Sequence, residues 1–191
     1  MHTTKRQLLE AGFSMLLERG YNDLGVQALL TATGTPKGSF YHHFASKEDF
    51  ALQVVGLYME GVHEGLTACL SDKGASPLKR VRSFFEATRD SYRKDGYLGC
   101  MLGGLGQELA GVSESFRTKI DECLMTIGTQ IAACLVEAKS RGELPQTSDP
   151  HKLAMLLVNC WEGAALRSRL RRSADPLDEM LDFYFQSAIH P

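Results

Sequence analysis

The sequence predicts an all-helical protein, and three features carry that expectation. Four of the six prolines directly follow a helix-capping side chain, at Thr35-Pro36, Ser76-Pro77, Asp149-Pro150 and Asp175-Pro176. Such a pair starts a helix, because the cap oxygen accepts an orphan amide hydrogen and a proline in the first turn has none to offer. Gly20, Gly34, Gly96 and Gly142 each stand just past an apolar-periodic segment, where a left-handed residue ends a helix. Between these marks the apolar residues recur at helical spacing, and no segment alternates as a strand does.

In chain order, the first helix is expected over 4–19. Thr4-x-x-Gln7 has capping-box spacing there, and Leu8, Leu9, Phe13, Leu16 and Leu17 form its apolar face. Two short helices follow at 26–33 and 36–43. Ser46-x-x-Asp49 repeats the capping-box spacing and opens a long helix over 47–70. The remaining helices are expected at 77–94, 99–110, 113–141, 150–171 and 176–189, the last on Leu177, Leu181, Tyr184 and Ala188. Three short, closely spaced helices before long ones predict an N-terminal helical domain over 1–46 and a larger helical domain over 47–191.

Composition narrows the function. Hydrophobic residues make up 43% and charged residues 23% of 191 residues, as in an ordinary globular chain. The formal charge of −2 means that any nucleic-acid contact must be local. No apolar run approaches a membrane span, and "MHTTKRQLLEAGF" lacks a signal-peptide apolar core, so the expected compartment is the cytoplasm. The five cysteines, Cys69, Cys100, Cys123, Cys134 and Cys160, are scattered and form no C-x-x-C pair, which fits free thiols.

The stretch "TGTPKGSFYHHF", Thr33 to Phe44, concentrates unusual residues. A two-turn helix ending at Gly34, a tight turn, and a second short helix give helix-turn-helix spacing. Phe40 and Phe44, four apart, would share the inner face with Leu29. Tyr41 and His42 would face outward. No acidic residue lies between Thr33 and Lys47, so the local charge is positive. The second helix could then lie in a major groove, with Thr35, Gly38 and Ser39 near the base edges and Lys37, Tyr41, His42 and Lys47 on the phosphates. The pair His42-His43 makes a poor metal chelate, since adjacent helical side chains diverge by about 100°. Neither a metal nor a cofactor is expected.

From Leu8 to Phe50, and above all in "KGSFYHHFASKEDF", the chain resembles the N-terminal domain of the TetR family of bacterial transcriptional regulators. That family often has a threonine where this chain has Leu24-Gly25, and a serine where it has Pro36. The resemblance implies a homodimer that leaves a double-stranded DNA operator when a small molecule enters the C-terminal ligand-binding and dimerisation domain. It assigns a dimer surface to the last two helices, with Leu153, Leu156, Leu157, Cys160, Ala164, Leu177, Leu181 and Tyr184 as its apolar stripes. The same stripes could instead face the subunit's own core.

Two readings of the larger domain stay open. In one, an ordinary ligand binds among Phe84, Tyr92, Met101, Leu105, Trp161, Glu162 and Arg169, chosen as aromatic, soft or polar residues on helices expected around a cavity. In the other, Cys100 senses electrophiles or oxidants. It follows Gly99 at an expected helix start, where thiolate is favoured, within "DGYLGCMLGGLGQEL". Its "GC" resembles a position in electrophile-responsive repressors of the N-ethylmaleimide reductase repressor type. In that group a lysine on the penultimate helix assists the thiol, and Arg169 stands at the matching place. An enzyme is not expected: no G-x-S-x-G, H-E-x-x-H or Walker sequence is present. An architectural DNA-binding protein without a ligand is a remote alternative.

Overall fold

The computed structural model describes residues 4–188, and among them the fold is all-α, with nine α-helices. They are α1 (Thr4–Arg19), α2 (Val26–Thr33), α3 (Lys37–His43), α4 (Lys47–Leu70), α5 (Pro77–Lys94), α6 (Met101–Leu109), α7 (Glu114–Ser140), α8 (Pro150–Arg171) and α9 (Asp175–Phe183). A π-helical turn, Tyr184–Ala188, continues α9. The expected end of the last helix at residue 189 lies outside the described residues.

By internal contacts the chain groups into two compact units, drawn differently from the expected division at residue 46. The first comprises the chain up to Gly61 together with Met101–Ile120, and the second comprises Val62–Cys100 together with the chain from Asp121 onward. In the first unit, Leu8, Leu16, Leu29, Phe40, Phe44, Phe50, Val54, Leu102, Leu109 and Phe116 are buried. Phe40, Phe44 and Phe50 form a triangle with ring centroids 4.9–5.3 Å apart. Gly12 lies against Phe50 so closely that any β-carbon would overlap the ring.

The second unit packs around Phe84, Phe85, Tyr92, Ile131, Leu135, Leu157, Trp161, Leu177 and Leu181. The Arg80 guanidinium is enclosed with them, 1% exposed, donating to the Leu70 carbonyl at 2.8 Å and to Glu137 at 2.7 Å. A buried cation is tolerable only with such partners. Tyr184 closes the core by donating its hydroxyl to the Leu153 carbonyl at 2.9 Å.

Several helix starts follow the expected chemistry. Ser76 accepts from the Lys79 amide, and Asp149 accepts from the His151 and Lys152 amides at 3.0 and 3.2 Å. Ser46 accepts from the Asp49 amide at 3.0 Å, while the Asp49 carboxylate accepts from Ala45 at 2.9 Å. Two starts differ. Pro36 itself is the N-cap of α3, with no side-chain cap, because Thr35 is drawn inward to 8% exposure. Ala174 caps α9 in place of Asp175. At α1, whose lead-in lies outside the described residues, the Gln7 side-chain amide donates to the Thr33 carbonyl at 3.2 Å and fastens α1 to the end of α2.

The expected dimer stripes need correction. Leu157, Ala164, Leu177, Leu181 and Tyr184 are buried in the second unit's own core, and Leu153 packs partly against it. The apolar groups that face outward are Leu156, Leu166 and Leu170 on α8 and Phe183 on α9, with Cys160 exposed between the first two. Helical phase decides this: each turn of α8 carries an apolar residue on an inner and on an outer face, and periodicity alone does not say which stripe is which.

Candidate nucleic-acid interface and sensing region

The helix pair α2–α3 is built from the inside. Leu29 and Phe40 are completely buried and Phe44 is 1% exposed, so the core fixes which side of α3 faces out. Gly34, left-handed at φ 63°, ends α2 and donates to Leu30 and Thr31. Lys37, Gly38, Tyr41 and His42 are exposed, Tyr41 by 53%, and Ser39 is half-buried. Nothing within 4 Å would meet a β-carbon at Gly38, so the subunit's own packing does not demand glycine there. Thr35 stands apart from this surface: it is buried, and its amide donates to Leu30.

Lys47, the first residue of α4, is half-buried with its ammonium 4.3 Å from the centre of the Tyr21 ring. Burial lowers its pKa, against the attraction of Glu108 and Asp23. The ammonium is therefore held in place by an aromatic face rather than left to swing in solvent.

In the second unit, Gly99 adopts φ 81°, and a β-carbon there would sit 3.5 Å from the Ala165 carbonyl and 3.7 Å from the Arg169 side chain. Cys100, half-buried, follows directly. Glu162, Ala165 and Arg169 are three and four residues apart along α8, so one helix face meets this corner. Burial pushes the Glu162 carboxyl above the ordinary carboxylate range, while a hydrogen bond from the Cys100 thiol pulls it the other way. Its Oε2 is buried with no hydrogen-bond partner among the described residues. Phe84, Tyr92 and Trp161 are buried nearby in the core, with Tyr92 and Trp161 centroids 5.9 Å apart. Of the remaining candidates, Met101 and Leu105 are buried in the first unit, on α6.

Two family descriptions match this chain: "Bacterial regulatory proteins, tetR family" over residues 8–54, and "Tetracyclin repressor-like, C-terminal domain" over residues 77–184. The chain belongs to the TetR family. It is 32% identical to the HTH-type transcriptional repressor DhaR of Mycobacterium sp. (strain GP1), over 97% of this chain and 92% of that protein. A crystal structure of a regulatory protein TetR from Rhodobacter sphaeroides superposes with a TM-score of 0.90 at 35% identity, covering 95% and 96% of the two chains. The reduced form of Escherichia coli NemR superposes with a TM-score of 0.86 at 27% identity, covering 98% and 97%. The TetR family is one of DNA-binding transcriptional regulators rather than enzymes. No described helix is long and apolar enough to cross a membrane.

Two residues of this TetR-family chain escaped the sequence reading. Phe85 lies between Phe84 and Trp161, with centroids 5.1 and 4.8 Å away, and its adjacency to Phe84 was the one available signal. Glu108 accepts two backbone amides of the turn after α1, and nothing local in "GGLGQELAG" marks that role.

Proposed function

We propose that this TetR-family regulator is a homodimeric repressor that leaves a pseudo-palindromic operator when a small molecule acts on its C-terminal domain. The observation that carries the DNA-binding part is the two-sided construction of α3. Phe40 and Phe44 are locked inward, while Lys37, Gly38, Tyr41 and His42 are exposed on a segment, Thr33 to Lys47, that contains no acidic residue. In this reading Lys37, Tyr41, His42 and Lys47 take phosphates, Gly38 and Ser39 lie at the base edges, and Thr35 supports the turn from within. Residues 1–46 serve as the DNA-contacting domain and 47–191 as the ligand-binding and dimerisation domain.

Dimerisation is supported by the outward stripe of α8, where Leu156, Cys160, Gly163, Leu166 and Leu170 recur every three or four residues, with Phe183 exposed on α9. Two copies joined through α8 and α9 would form a four-helix interface. Release by an ordinary ligand draws support from the aromatic group Phe84, Tyr92 and Trp161, and from the partnerless buried oxygen of Glu162, which calls for a donor.

A second reading makes Cys100 the sensor. It is favoured by one observation: the thiol is half-buried rather than sealed, and the Arg169 side chain lies against the adjoining Gly99. The guanidinium keeps the cationic character of that place but not the chemistry of an amine. Titration of an operator complex with N-ethylmaleimide and with hypochlorite, comparing wild type and Cys100→Ser, separates the two readings. Release that vanishes in the variant, with DNA affinity intact, identifies a thiol sensor. Equal release from both, or none from either, removes Cys100 as the trigger and turns the search to a noncovalent ligand.

A further inference from the structure

α1 ends in a turn that exposes two consecutive backbone amides to a single carboxylate. Gly20 is left-handed at φ 81°, and the amides of Tyr21 and Asn22 that follow it both point at one carboxylate. Consecutive amides presented in this way make a concavity that binds an anion. The anion is supplied from far along the chain: Glu108, near the end of α6, accepts from Tyr21 at 2.8 Å and from Asn22 at 2.6 Å, one amide on each oxygen. The cradle is shaped for it, since a β-carbon on Gly20 would come within 2.6 Å of Glu108 Oε2.

Other contacts within the first unit tie the same α6–α7 segment to the first turn of α4 and to the turn after α1. Ser113 donates its hydroxyl to Glu48 at 2.6 Å, and the Phe116 ring meets the edge of Tyr21 at 5.4 Å. The Tyr21 ring is in turn the surface that holds the Lys47 ammonium. Glu108 thus fixes the backbone that enters α2 on one side and, through Tyr21, the seat of Lys47 on the other. It lies outside residues 8–54, the stretch matched to the family's DNA-binding description.

We infer that Glu108 is a positioning residue for operator recognition: its carboxylate holds the α1–α2 turn, and with it the aim of α2–α3 and the seat of Lys47, without touching DNA. The inference rests on α2–α3 being the DNA-contacting surface. Its signature is a change in discrimination rather than in general affinity. Nonspecific binding follows net charge, and removing an acid leaves it intact or strengthens it. Operator binding requires α3 at one depth and angle in the groove, so a loosened turn weakens that alone.

The test measures binding of purified full-length protein to an operator selected from a random pool and to an unrelated duplex, at one fixed salt concentration. Wild type is compared with Glu108→Ala, Glu108→Gln and Gly20→Ala, each confirmed folded by its urea transition. Glu108→Ala is expected to lower the operator-to-random preference about tenfold with no loss on random DNA. Glu108→Gln, as uncharged as Glu108→Ala but still able to accept one amide, is expected to recover part of that loss. Gly20→Ala, which strains the left-handed turn and crowds the carboxylate, should resemble Glu108→Ala, and Glu108→Gln carries the test if the alanine at 108 does not fold. Proportional losses on both duplexes, or an unchanged preference, overturn the inference. A wild-type protein with no preferred sequence would instead refute the DNA-binding reading beneath it.

Discussion

Lys37 stands exposed at the first position of α3, with nothing acidic from Thr33 through its own helix to compete for its ammonium. A lysine so placed is expected to displace one counterion on binding. Lys37→Ala should therefore weaken binding to cognate and random duplexes alike and reduce the log–log salt slope by about one. Affinity measured across a salt series checks this, and an unchanged slope removes Lys37 from the phosphate contacts. Glu162 makes a prediction of a different kind. Burial raises its folded pKa, so the folded chain holds that proton more tightly than the unfolded chain does. Its contribution to stability is then present at low pH and is lost as pH rises from the ordinary carboxylate pKa through the raised one. Glu162→Gln, which cannot ionise, should melt close to wild type at about pH 4 and above it at about pH 8. Gly12 is constrained by packing: a methyl group there enters the Phe50 ring, itself walled in by Phe40 and Phe44. Gly12→Ala should cost about 3 kcal/mol, read from urea denaturation.

The helices were legible where a signal is local and hidden where it is not. Gly20, Gly34, Gly96 and Gly142 all adopt the left-handed conformation expected after a helix end. Ser76 and Asp149 cap as their place before proline demands. Thr35 and Asp175 stand in the same sequence context and do not cap. The core takes up Thr35, and Ala174 has already begun α9 before Asp175 is reached; neither effect can be read from a dipeptide. The α3 surface was legible because Phe40 and Phe44 settle its phase, whereas the outer stripe of α8 was not, since both of its stripes are apolar. Glu108 was invisible because its partners lie 86 and 87 residues away. The Asp149 cap offers a test at this scale. The Lys152 and His151 amides hold its pKa below the ordinary aspartate value. Its contribution is then present above the unfolded pKa and is lost as pH falls through the depressed one. The denaturation midpoint of Asp149→Ala should lie below wild type at neutral pH, and the gap should close in acid; a gap independent of pH would contradict the cap.

For the whole molecule, α4, α7 and the Cys100–Met101 junction carry the chain between its two units, so the segment next to the candidate thiol is continuous with the helix that bears Glu108. Assembly through the outer stripe of α8 is open to direct test. Leu170, 68% exposed, contributes little to the subunit's own core, so Leu170→Glu should leave the fold intact while shifting sedimentation from dimer to monomer. A paired recognition surface built on α3 is read out by selecting duplexes from a random pool with the purified protein and sequencing what it retains. The expected product is a pseudo-palindrome whose half-sites are spaced by about one helical turn or a multiple of it, with no such enrichment for Leu170→Glu. A pool that remains random, or one enriched in a lone asymmetric half-site, would contradict it.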